Sequence, residues 1–163
     1  MRLTKMGVIR RVARGLYDYP KLHDKLGALS PNLDSVVLAI SAQTGDKISA
    51  TGAAAANQLG FSTQVQARAA YATSGPSKVK KVANRTLVLK HTRAPVIEKG
   101  SDRANAAVQL MAHLGKNNVN ADVVQRVADQ LDDRDIKILV GFRPKMSGWM
   151  GDVILKIEAA KHG

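Results

Sequence analysis

The chain has 163 residues, of which 45% are apolar but only 4% aromatic; it carries a net charge of +12 and has no cysteine. Disulfide frameworks and thiolate metal sites are thereby excluded and a cytoplasmic setting is favoured. No apolar run approaches the roughly 20 residues that span a bilayer, and the N-terminus lacks the apolar core of a secretory signal.

The first predicted element lies in GVIRRVARGLYDYP. Val8, Ile9 and Val12 favour strand, Arg10, Arg11 and Arg14 are interleaved with them, and Gly15 can reverse the chain before residues 16–19 resume and Pro20 stops it. This pattern predicts a two-stranded, positively charged ribbon. KLHDKLGALSPN reads as a polar connector. Asn32 or Asp34 then caps a helix with Val36, Val37 and Ile40 inward, ending near Gly45. DKISATG is a short extended segment, and Thr51 caps an Ala-rich helix that Gly60 ends.

The middle of the chain is strand-like. VQARAAYATSG alternates weakly, SKVKKVANRT is read as alternating clearly at Val79 and Val82, and RTLVLKHTR places Leu87 and Leu89 on one face. Turns at 74–77 and at Asn84 and Arg85 suggest a three-stranded antiparallel meander with one buried face. Its other face is expected to carry Lys78, Lys80, Lys90 and Arg68. From residue 101 the period becomes helical. Ser101 caps a helix with Ala104, Val108 and Met111 inward, and Asn120 caps one with Val123, Val127 and Leu131 inward. RDIKILVGF, ambiguous by pattern, is read as a helix capped near Asp133. Pro144 kinks the chain before a last helix with Val153, Ile154 and Ile157 inward. The predicted class is α+β.

No catalytic constellation is visible. His23, His91, His113 and His162 lack ligand spacing, and residues 47–97 contain eight Lys/Arg and no acid, which leaves no two-carboxylate or two-metal site there. Asp132, Asp133 and Asp135 are explained by helix capping. The 74–77 turn lacks the phosphate-loop pattern, and Pro76 removes an amide such a cradle uses. Trp149 and Met150 read as core anchors. The chain is thus expected to be no enzyme and to need no cofactor or metal.

Charge points to nucleic acid. Residues 1–25 hold seven Lys/Arg against two Asp, whereas from 98 onward ten bases face nine acids, so the positive field belongs to the N-terminal and middle parts. Arg10, Arg11 and Arg14, with Lys5 just before them, suit phosphate or minor-groove contact from a ribbon. The sparse aromatics count against single-strand stacking platforms, which favours duplex DNA.

The segment LTKMGVIRRVARGLY resembles the end of a winged helix-turn-helix, a last helical turn followed by a wing. With ISATGAAAANQLGFSTQVQARAAYATSGPS and NRTLVLKHT, most of residues 7–93 is similar to the AbiEi-type antitoxins of type IV toxin–antitoxin systems. That resemblance implies an antitoxin that represses its own operon by binding duplex DNA and counteracts a nucleotidyltransferase-like toxin, with direct contact left open. It makes Arg10, Arg11 and Arg14 wing cations and Gly15, Leu16 and Tyr17 the returning strand, with Tyr17 packing the wing or touching a phosphate. Lys78, Lys80, Lys81, Arg85 and Lys90 fall in a second region linked to antitoxicity and further DNA contact. Only six residues precede Gly7, so residues 1–25 are expected to be a partial winged helix reduced to its wing. Residues 26–163 form an α+β antitoxin-type domain that turns helical at about 101. Without a recognition helix, electrostatic binding is favoured over base reading. Two alternatives share the same charge: an RNA-binding basic protein, or a protein-interaction domain that has lost sequence-specific DNA binding. The oligomeric state is open.

Overall fold

A computed structural model describes residues 2–63, 69–97 and 101–163; Arg68 lies outside the described residues. The α+β class holds. A short helix α1 (Arg2–Lys5) precedes β1 (Arg10–Ala13) and β2 (Leu16–Asp18), which pair antiparallel with Arg11 opposite Tyr17. Gly15 makes their reversal at φ 73°, where a Cβ is disfavoured. The expected connector contains a small hairpin, β3 (Leu22–His23) and β4 (Gly27–Ala28).

Helix α2 (Leu33–Thr44) is capped by Asn32, whose side-chain oxygen accepts the Asp34 N–H at 2.9 Å, and it ends at Gly45 (φ 75°). β5 (Ile48–Ala50) leads to α3 (Gly52–Gln58), capped by Thr51.

β6 (Ala69–Thr73), β7 (Lys78–Val82) and β8 (Arg85–His91) join β5 in a four-stranded sheet of order β5-β6-β8-β7. The meander expected from the sequence is therefore corrected: β8 runs parallel beside β6, and β7 is displaced to the edge. The interior places go to β6 and to β8, whose Leu87 and Leu89 are buried. The lysine-rich β7 stays where its charges are solvated and discourage edge-to-edge pairing. A second correction concerns Val79 and Val82. Three residues apart on a strand, they point to opposite faces; Val82 is 0% exposed and Val79 70%. The register puts Lys78 and Lys80 on the face of Leu87 and Leu89, and Lys90 on the other, so these lysines do not share one face.

The C-terminal part holds α4 (Asp102–Leu114), α5 (Ala121–Gln130), α6 (Asp133–Phe142) and α7 (Gly148–His162), with Ser101 and Asn120 capping the first two. The ambiguous segment is a helix, but its cap is Asp132, in a capping box with Asp135, instead of Asp133. Met150 is buried in the core, and Trp149 packs against its margin.

Two apolar clusters hold the chain. Val12 and Leu16 of the ribbon pack with Val36, Ile40, Leu87 and Leu89, joining ribbon, α2 and one sheet face. Burying such a side chain stabilises by roughly 2 kcal/mol. The second cluster unites α3 with α4 to α7 through residues such as Ala55, Leu110, Leu139 and Ile154. Among the described residues no helix is long and apolar enough to cross a membrane.

Candidate nucleic-acid interface

The ribbon lies on the domain and does not stand away from it. Besides the Val12 and Leu16 anchors, the Val12 carbonyl accepts the Ala83 N–H at 3.0 Å, and the Gln43 amide donates to the Gly15 carbonyl at 2.8 Å. Arg10 completes the attachment. Its Nε donates to one Asp18 oxygen at 2.7 Å, its Nη2 to the other at 3.0 Å, and Nη2 also to the Leu29 carbonyl. The bond to Asp18 raises the Arg10 pKa further. This fork leaves Arg10 a structural clasp with little capacity for an outside phosphate.

Arg11, Arg14 and Lys5 are exposed, and among the described residues none has an ion-pair partner. Arg11 spends only its Nε, on the Ala13 carbonyl at 3.4 Å. Tyr17 is exposed opposite Arg11. Lys78, Lys80 and Arg85 share the sheet face on which the ribbon packs; Lys81 and Lys90 lie on the opposite face. There Lys90 borders a second cleft of about 510 Å³, shared with Gly52 and His113. The structure thus puts Lys78, Lys80 and Arg85 on the ribbon's side of the sheet and Lys81 and Lys90 on the other.

Between the ribbon, the start of α2 and β6 runs a cleft of about 640 Å³, lined by Tyr17, Tyr19, Tyr71, Arg10, Lys21 and Arg85, together with Asp18 and Asp34. The Tyr71 hydroxyl donates to Asp34 Oδ1 at 2.8 Å, tying the first turn of α2 to the sheet. Burial, then the Asp34 hydrogen bond and charge, push the Tyr71 phenol up to about 12, with Arg85 pulling the other way. An unfolded tyrosine ionises near 10, so the folded state holds this proton longer. The contribution to stability is complete below pH 10 and is lost as pH rises to about 12. In a 295 nm titration, the difference between the parent chain and Tyr71→Phe should have its midpoint near pH 12; a midpoint near 10 would refute the assignment.

Of this cleft, sequence reasoning singled out Tyr17, Arg10 and Arg85, and missed Tyr19, Lys21 and Tyr71. The only local signal was the YDY triplet; Tyr71 and Arg85 arrive from strands more than fifty residues away. Among the described residues no group of three or more His, Asp or Glu side chains could hold a metal ion. Residues 1–139 match a protein family described as a family of unknown function, DUF6088. No curated protein and no solved structure matches the chain.

Proposed function

From the premise that this chain belongs to the DUF6088 family, we propose that it is a cytoplasmic, non-enzymatic DNA-binding regulator and antitoxin of the AbiEi kind. It holds duplex DNA through phosphate contacts, represses its own operon and counteracts a nucleotidyltransferase-like toxin. The observation that carries this reading is the seated ribbon. Arg10 and Gln43 fix its course while Arg11 and Arg14 face solvent with no internal ion pair among the described residues. Cations on a rigid, already ordered ribbon meet phosphates without paying for loop ordering. Lys5 precedes this surface, and Lys78, Lys80 and Arg85 extend it along the same side of the sheet. Lys81 and Lys90 serve a separate face, suited to contact with a second polyanion segment or with the toxin.

The test is binding across a salt series, with the chain's own upstream duplex, a scrambled duplex and a structured RNA as ligands. Each phosphate contact adds about 0.9 to the slope of log affinity against log salt. The Arg11→Ala/Arg14→Ala double variant should therefore lose about 1.8 of slope, with unchanged melting temperature. Preference for the upstream duplex supports repression. Tighter binding to the RNA would replace this reading with the RNA-binding one. Failure of the parent chain to protect cells expressing the cognate toxin would remove the antitoxin part.

A further inference from the structure

We infer that the cleft between the ribbon and α2 is a binding site for an unpaired nucleotide, its base stacked on tyrosine and its phosphate held by Arg85 and Lys21. The cleft, at about 640 Å³, has the volume of an ordinary small-ligand site. The chain contains only three tyrosines, and all three line this one cleft. Two of them are not packing the core: Tyr19 is 73% exposed and Tyr17 41%. Exposed rings gathered beside cations are the arrangement that holds single nucleotides, because every base offers a π-face whatever its sequence.

The charges of the cleft sort in the same direction. Asp18 is matched by Arg10, and Asp34 accepts the Tyr71 hydroxyl. Tyr71 stays protonated at physiological pH and adds no negative charge. Asp34 keeps its charge, so the three cations of the cleft outnumber its two carboxylates by one; Arg85 and Lys21 are both exposed and without an ion-pair partner among the described residues. A phosphate supplies what they lack. The site shares Arg85 with the surface proposed for duplex DNA, but neither Arg11 nor Arg14 lines it, so the two readings can be tested separately.

Calorimetric titration of the full chain tests the proposal, with ATP, GTP, CTP, UTP, an eight-residue oligothymidylate and tripolyphosphate as probes. The nucleotides or the oligothymidylate should bind at least tenfold more tightly than tripolyphosphate. Arg85→Ala and Tyr19→Ala should each weaken that binding about tenfold, and Lys156→Ala, exposed on α7 away from the cleft, should leave it unchanged. Both cleft positions are exposed, so the variants should keep the parental melting temperature. Tighter binding of the oligothymidylate identifies a strand as the source of the nucleotide, and tighter binding of the triphosphates a free one. The proposal is overturned if tripolyphosphate binds as well as either, if both variants bind like the parent, or if nothing binds at millimolar concentration. Loss of duplex binding with nucleotide binding intact would count against the ribbon reading alone.

Discussion

Asp135→Ala should unfold about 3 kcal/mol more readily than the parent, a loss of roughly 6–12 °C in melting temperature. Asp135 is only 1% exposed. One of its oxygens accepts the Ser101 hydroxyl and the other the Asp132 backbone N–H at 3.1 Å. Ser101 in turn caps α4, its Oγ accepting the Ala104 N–H at 3.0 Å, and Asp132 caps α6, accepting the Asp135 N–H at 2.8 Å. A single carboxylate therefore holds two helix starts together. Its removal costs two charge-assisted hydrogen bonds and loosens both caps. Asp135→Asn keeps one good acceptor and should lose about half as much. Ser101→Ala combined with Asp135→Ala should lose at least 1 kcal/mol less than the sum of the single changes. Urea unfolding of the four chains decides this. Strict additivity would mean that the two caps act separately.

The second large effect is a contrast between two glycines, each the first residue of a helix. Gly52 opens α3 and Gly148 opens α7. A methyl group at Gly52 would run into the His113 side chain and lie 2.9 Å from the Gln109 carbonyl, whereas one at Gly148 meets nothing within 4 Å. Gly52→Ala should therefore destabilise by about 2 kcal/mol, since α3 must back away from α4 in a filled core. Gly148→Ala should stabilise by roughly 0.4–1 kcal/mol, by restricting the unfolded chain. Thermal melts of the two variants should move in opposite directions. A stabilised Gly52→Ala would show that α3 and α4 are not in close contact, and a destabilised Gly148→Ala that the start of α7 is not open.

The helix boundaries were legible because their signals are local. Asn32, Thr51, Ser101 and Asn120 each cap the helix that follows, as a short polar side chain ahead of an apolar period predicts. Val12 and Leu16, two apolar residues around an Arg-Gly reversal, likewise announced a ribbon with a buried side. The sheet order was not legible. A strand's pattern states which of its residues are apolar, not which strand lies beside it, and β8 displaced β7 from β6 through contacts distant in sequence. Val79 was misassigned because its valine was counted without its parity on the strand.

The candidate surface divides along the same line. By itself the sequence determined the α+β composition, the excess of positive charge over the first hundred residues, and the cations of the ribbon, all of which follow from residue type and near-neighbour spacing. Only the tertiary structure decided which cations are spent. Arg10 is consumed by Asp18, while Arg11 and Arg14 are left to solvent. It also decided where the scarce aromatics go. A chain with 4% aromatic residues offers no stacking platform on average, yet packing the ribbon and α2 against β6 brings all three tyrosines to one cleft. Composition is a mean over the chain, whereas a binding site depends on local concentration, and that is set by burial of Val12, Leu16 and Ile40 against the sheet.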